Sequence, residues 1–193
     1  MHETETPWSV WFSHSVPKTK KVRHSLTTKD DFLNELHKLC TLSSLEELFE
    51  LWSRLSDVSL IENGSNLYFF RLGMRPLWEE LPDGCTLSVN FPRECRSDLN
   101  NKWLHLILSN LGEVLTTTNL AGCSVNVRPR VITLSVWLTS IPSDEIAARL
   151  VSELRHILSL PMDTVVDFKE HRYMIQNPKP QRFSLPANTV ANF

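Results

Sequence analysis

Seven histidines, four cysteines and six tryptophans are the residues of this 193-residue chain whose types could do chemistry, and their spacing narrows what that chemistry is. Cys40, Cys85, Cys95 and Cys123 form no CxxC pair, so neither a zinc knuckle nor a disulfide framework is indicated. His2, His14, His24, His37, His105, His156 and His171 are scattered without metal-ligand spacing. Cys95 lies between Arg93 and Arg96 and just before a helix start, a setting that activates thiols. No Cys-x5-Arg loop follows it, because position 101 is Asn101, and no histidine nearby in sequence is an obvious base. There is no Walker loop, GxGxxG or HExxH. The expectation is a protein that is not an enzyme and needs no metal or cofactor. What stands out instead is aromatic. Six tryptophans against two tyrosines exceed what core building needs, and one of them opens Trp78-Glu79-Glu80 inside a loop punctuated by Gly73, Pro76, Pro82 and Gly84. Charge is uneven too. Lys18, Lys20, Lys21, Arg23 and Lys29 lie in a stretch without acids, and Lys169, Arg172, Lys179 and Arg182 face only Glu170 near the end. A basic rim on an acidic body, in a chain of net charge −2, suits an anionic ligand approaching one face; two solvated loops are the plainer alternative.

The elements that must position these residues are spread along the chain. Trp8 to Phe12 reads as a short aromatic strand, and Ser13 to Asp31, basic and aperiodic, as a long loop. Phe32 to Cys40 is ambiguous, with Leu33, Leu36 and Cys40 at helical spacing. Ser43 and Ser44 are each followed three residues later by a glutamate, a capping box, and Leu45, Leu48, Phe49, Trp52 and Leu55 continue as a helical stripe to about 56. Strands are expected at 68–72, 86–91, 123–127, 131–139 and 164–168. Further helices are expected over about 97–114 and from Ser143 to about Leu160, the latter burying Ile146, Leu150, Leu154 and Ile157. The middle of the 97–114 helix, Trp103 to Leu108, is apolar on more than one side, too wide for one core contact. Connections too short for parallel crossovers make this an α+β chain, an antiparallel sheet backed by helices. Residues 1–7 are expected to be a flexible start, 8–172 the domain, and 173–193 a mobile basic tail. No stretch approaches a membrane span and no signal peptide is visible, so the expected setting is reduced, intracellular and cytoplasmic.

Five motifs in register carry a resemblance. Gly73-x-x-Pro76-x-Trp78-Glu79, Arg96-Ser97-Asp98-Leu99 with Trp103-Leu104, Leu111-Gly112-Glu113, Gly122-x-x-Val125-Asn126-Val127-Arg128-x-Arg130, and Trp137 resemble the eukaryotic translation initiation factor 4E family over roughly residues 8 to 172. The resemblance implies a curved antiparallel sheet backed by about three helices, whose concave face binds the 7-methylguanosine cap of mRNA. It also implies a helical face that recruits the scaffold factor 4G, or other proteins, through a Tyr-x-x-x-x-Leu motif.

Methylation at N7 makes guanine cationic, so two aromatic walls gain stacking plus cation–π attraction. The resemblance makes Trp78 one wall and gives Glu79 the guanine N1–H and exocyclic amine; such a pair can converge only from a loop, since strand neighbours face opposite ways. The second wall is where the sequence departs from the family. No tryptophan lies between Trp11 and Trp52, and extending the helix match backwards places Phe32 there, a weaker cation–π partner, or else a plain core residue. Arg128 and Arg130, flanking Pro129, are implied phosphate ligands projecting to one side of an extended segment. Cys85 and Thr133 stand where the family commonly has further cations. His171, Arg172 and Lys179 are implied contacts for nucleotides after the cap. Leu45, Phe49, Leu104 and Leu108 are the implied partner-binding positions, with simple core packing as their alternative, and His105 occupies a commonly acidic position. The second functional expectation is an adaptor or translational repressor of the same fold that binds cap weakly or not at all.

Overall fold

The computed structural model describes residues 2–14, 29–94, 98–177 and 184–185, with side chains of 29–31 and 184–185 excepted. Thirteen main elements follow one another: β1 (Glu3–His14), α1 (Lys29–Glu35), β2 (Leu36–Ser44), α2 (Leu45–Trp52), β3 (Ser65–Arg71), β4 (Cys85–Pro92), α3 (Leu99–Leu111), β5 (Leu120–Val127), β6 (Val131–Leu138), α4 (Asp144–Ile157), β7 (Val166–Glu170), α5 (His171–Gln176) and β8 (Ser184–Leu185). Short 3-10 turns at Val58–Leu60 and Trp78–Glu80 complete them. The strands form one curved, wholly antiparallel sheet in the order β2-β1-β3-β5-β6-β4-β7-β8.

Alternation gives this sheet two different faces. Val10, Leu67, Phe69, Leu87, Val89, Cys123, Val125, Leu134 and Val136 point to one side, where Leu48 of α2, Trp103, Leu106 and Ile107 of α3, and Leu150 and Leu154 of α4 close over them. Each fully buried leucine there contributes about 1.5–3 kcal/mol. Local chemistry starts these helices. Ser44 Oγ accepts from Glu47 N–H at 3.2 Å while Glu47 Oε2 accepts from Ser43 N–H, and Ser143 Oγ accepts from Ile146 N–H at 3.4 Å.

One ambiguity is resolved and three expectations need correcting. Phe32 to Cys40 is not one helix: Phe32 lies in α1, and β2 begins at Leu36, because β1 offers it a ladder from Ser13↔Leu36 to Trp8↔Leu42. Spacing that suits a helix was overridden by a non-local partner. The start of the chain is not a free arm, since β1 begins at Glu3, and Ser13 and His14 belong to that strand rather than to a loop. Residues just after 172 form α5, with Met174 buried, not a mobile tail. In α4, Ile146 is exposed, and Val151 and Arg155 take part in the buried side instead, the Arg155 Nη2 donating to Thr164 O at 3.1 Å.

Candidate binding site on the open face

The face away from α2, α3 and α4 carries a second, smaller core of Leu36, Tyr68, Phe70, Ala121 and Trp137. Trp11, Phe32, Met74, Trp78 and Leu81 pack against it and stay partly exposed. Phe32 arrives from α1 at the β1–β2 end, and Trp78 from the turn between β3 and β4. The structure therefore brings the two expected walls to one aromatic cluster, although they are 46 positions apart in sequence. Trp78 lies on Trp137 with ring centroids 6.4 Å apart and planes 25° from parallel. Trp137 is held in turn: its Nε1 donates to Ser124 Oγ at 3.0 Å, and its ring contacts Phe70 edge-on at 5.4 Å.

The turn works as its residue types require. Gly73 takes φ +88°, a left-handed conformation that glycine adopts freely, and reverses the chain after β3. Pro76 and Leu77 are buried, anchoring the approach, and Trp78–Glu80 then form a single 3-10 turn closed by Leu81 N–H to Trp78 O at 3.0 Å. Glu79 is exposed and has no hydrogen bond or ion pair among the described residues, whereas its neighbour Glu80 is engaged by Arg75. Glu79 is thus a carboxylate with its full acceptor capacity, one residue from a partly exposed indole.

Arg128 and Arg130 do not sit on an extended segment, as the spacing suggested. They belong to the tight β5–β6 turn closed by Arg128 N–H to Val131 O at 2.9 Å, and they part company there. Arg130 is exposed. Arg128 folds back over β3, donating from Nη2 to Asn66 Oδ1 at 2.8 Å and from Nη1 to Val127 O at 2.8 Å and Ser65 O at 3.4 Å. All three acceptors are neutral. Burial lowers the Arg128 pKa from its usual value, and this half-buried cation has no anionic partner among the described residues. Such a group gains most from a phosphate oxygen.

A polar row leads away from it. Ser13, Asn66, Asn126, Thr133 and Asn90 stand opposite one another in register across β1, β3, β5, β6 and β4. Asn66 donates to Ser13 Oγ at 2.9 Å, Asn126 to Asn66 at 2.8 Å, Thr133 to Asn90 at 2.7 Å, and Asn90 to Asp167 Oδ2 of β7 at 2.7 Å. Thr133 therefore presents a neutral hydroxyl on this face. Cys85 is wholly buried in the other core, its thiol pushed up to about 12 by burial, so it contributes nothing to the site.

The remaining expected residues divide. His171 is fully buried and cannot touch a ligand in solution; its imidazole spends both nitrogens inside the protein. Arg172 is exposed and ion-paired with Asp83 of the turn following Trp78. Lys179, Cys95, Arg96, Ser97 and the basic run 18–23 lie outside the described residues. On the helical face, Phe49 is 48% exposed and His105 is exposed, Leu104 is partly buried, and Leu45 and Leu108 pack against the core's edge. The wide apolar side of α3 is split accordingly: Trp103, Leu106 and Ile107 turn inward, while Leu104 and Leu108 flank them. Sequence reasoning used Trp137 only as a motif. Its place in the site could have been inferred from alternation with Ser135 and Thr133 along β6, which puts an indole on the polar face.

A family model described as eukaryotic initiation factor 4E matches residues 3–184. The chain belongs to the eukaryotic initiation factor 4E family. Among curated relatives, translation initiation factor 4E-1 of Schizosaccharomyces pombe is 27% identical over 175 residues, covering 88% of this chain and 75% of its own. Initiation factor 4E of Aplysia californica is 24% identical over 175 residues, covering 88% and 76%. Two solved structures share the fold. The Ascaris suum factor 4E-3 in complex with an m7G cap has a TM-score of 0.79 at 21% identity, over 96% of this chain and 98% of that one. The Caenorhabditis elegans factor 4E-3 in complex with the 4E-binding protein Mextli and a cap analogue has a TM-score of 0.78 at 21% identity, over 95% and 99%. No helix among the described residues is long and apolar enough to cross a membrane, and none of their His, Cys, Asp and Glu side chains cluster as a metal site.

Proposed function

We propose that this member of the initiation factor 4E family binds the 7-methylguanosine cap of mRNA on its open face, as a cytoplasmic binding protein rather than an enzyme. Trp78 and Phe32 are the walls that take the methylated base. Stacking on each wall is worth about 1–3 kcal/mol, and the positive charge of the methylated ring adds a cation–π share that unmethylated guanine lacks. Glu79 accepts from N1–H and the exocyclic amine, bonds worth about 1.5–3 kcal/mol each because the acceptor is charged. Arg128 and Arg130 take the triphosphate, Arg128 held in place by neutral acceptors that leave its charge uncompensated. With Thr133 and Cys85 supplying no charge, phosphate binding rests on fewer cations than the resemblance implies. Arg172, on an exposed ion pair that opens at little cost, and Lys179, which lies outside the described residues, are the candidates for the nucleotide after the cap. On the opposite face, Phe49 with Leu45, Leu104 and Leu108 receives an amphipathic partner segment of the Tyr-x-x-x-x-Leu kind.

The observation that carries this reading is the Trp78-Glu79 turn: an aromatic ring seated on the Phe32-flanked cluster, next to a carboxylate that nothing in the described protein uses. Titration of tryptophan fluorescence with 7-methyl-GTP and with GTP tests it. The methylated nucleotide should quench emission and bind at least tenfold more tightly. Trp78→Ala and Glu79→Ala should abolish retention on cap resin, and Arg128→Ala and Arg130→Ala should each weaken binding and flatten its salt dependence. Equal affinity for the two nucleotides would remove the reading.

A further inference from the structure

We propose that His171 is a positioning residue for the base site: its buried imidazole pins the far end of the Trp78–Gly84 turn to the sheet and braces the indole on which Trp78 rests. For its effect on ligand binding, this assignment rests on the cap reading above.

The turn has little to hold it in place by itself. Its own bonds are local, Glu80 N–H to Leu77 O at 3.2 Å, Leu81 N–H to Trp78 O at 3.0 Å and Gly84 N–H to Leu81 O at 3.0 Å. Such a turn could swing as a unit about Pro76 and β4. His171, the first residue of α5, supplies the long-range ties. Its Nδ1 lies 2.7 Å from Leu81 O. A carbonyl only accepts, so Nδ1 carries the proton, and Nε2 is then the acceptor for Thr86 Oγ1, also at 2.7 Å. The backbone N–H of His171 donates to Gly84 O at 3.0 Å. The ring is thus bonded to residues on both sides of Asp83, and Asp83 itself is ion-paired with Arg172, the next residue of α5.

Packing points the same way. A Cβ built on Gly84 would lie 2.1 Å from the Leu138 carbonyl oxygen and 2.9 Å from His171 Nδ1, so glycine lets the end of the turn approach both the β6 backbone and the ring. The imidazole and the Trp137 ring are 5.1 Å apart, and Trp137 stacks on Trp78. One side chain therefore touches the end of the turn and the platform beneath its beginning. An aliphatic side chain of similar volume could fill the hole, but it would leave Leu81 O with only the local bond from Gly84 N–H and Thr86 Oγ1 without its imidazole partner. The directional bonds, not the volume, define where Trp78 and Glu79 sit.

The test compares His171→Leu, which keeps volume and removes both bonds, with His171→Asn, whose amide can still donate to Leu81 O. Three quantities are read: affinity for 7-methyl-GTP, amide hydrogen exchange at Leu81 and Gly84, and affinity for a Tyr-x-x-x-x-Leu peptide on the opposite face. His171→Leu should weaken nucleotide binding tenfold or more and speed exchange at the two amides by a similar factor, leaving peptide affinity within twofold. His171→Asn should recover most of both losses. Should His171→Leu fail to fold, Thr86→Val, which removes only the Nε2 partner, carries the test with about a threefold loss. Unchanged exchange at Leu81 and Gly84 in the folded variant overturns the assignment, as does His171→Asn behaving no better than His171→Leu. If the wild-type protein binds no 7-methyl-GTP, the cap reading falls, and the exchange data still decide whether His171 holds the turn.

Discussion

Along β3, β4, β5 and β6 both faces of the sheet hold deeply buried residues, aliphatic on the helical side and, beside the aromatic cluster, polar on the open side. Leu67, Leu87, Val125 and Leu134 look into the helical face at 4% exposure or less; Asn66, Ser88, Ser124 and Ser135 look to the open face at 4% or less. The first group is held by area alone and has the non-directional tolerance of a close-packed core. The second is held by bonds with a direction: Ser88 to Ser135 at 3.0 Å, Trp137 to Ser124, and the row running from Ser13 to Asp167. Depth of burial thus says nothing about which face is for a ligand. A face roofed by helices can be wholly apolar; one left for a polar partner must satisfy its own donors and acceptors when the partner is away.

That contrast can be broken or sharpened by measurement, beginning with the largest effect. Trp103→Ala empties a fully buried volume between α3 and Phe69, whose ring lies 5.7 Å away, and should cost about 3–5 kcal/mol in urea unfolding. The nucleotide affinity of the remaining folded protein should not change; a large change would mean the faces are not independent.

Next in size is an acid-induced loss. Burial lowers the His171 pKa from 6.5 to about 4, so below pH 6.5 the unfolded chain binds a proton that the native one refuses. The contribution is complete above pH 6.5 and is lost as pH falls from there towards 4, by about 3 kcal/mol at most. His171→Asn should remove this slope from a plot of unfolding free energy against pH; a slope unchanged by the substitution assigns it to other groups.

Two neighbours on one strand then give the most direct comparison. Leu67→Met, on the helical face, should cost less than about 1.5 kcal/mol. Asn66→Leu, of similar shape but on the open face, orphans the Asn126 amide and one Arg128 nitrogen and takes a donor from the Ser13 hydroxyl, and should cost about 3 kcal/mol. Equal losses would abolish the distinction. The smallest effect belongs to neither face: Arg54→Ala breaks an exposed pair with Glu50 at the end of α2, and its unfolding free energy should change by no more than about 0.5 kcal/mol.

Elements whose causes are local were legible beforehand. α2 was readable from Ser44 and Glu47 because a capping box is complete within four residues, and α4 from Ser143 because its hydroxyl meets Ile146 N–H. β4 was readable from the alternation of Leu87, Val89 and Phe91. β2 was not, because Leu36 and Cys40 satisfy a helical period equally well, and only the β1 edge, more than twenty residues upstream, chooses between them. α5 was missed because six residues carry no period; His171 and Met174 are buried by a turn some ninety positions earlier. In the site, the residue types of Trp78, Glu79 and Arg128 were visible, but the different fates of Arg128 and Arg130 were not, since a two-residue spacing does not say whether a segment is extended or turned.

From the linear order of residues alone came the class of fold, the family, and the aromatic and acidic types on the Trp78 turn, because periodicity, capping and adjacent motif residues act over a few positions. The folded chain decided the rest. It brought Phe32 and Trp78 to one cluster, gave Arg128 neutral partners and left Arg130 in water. It also hid His171 beneath the turn it braces, because each of these depends on which strand lies beside which, and that is settled only when distant segments share a sheet.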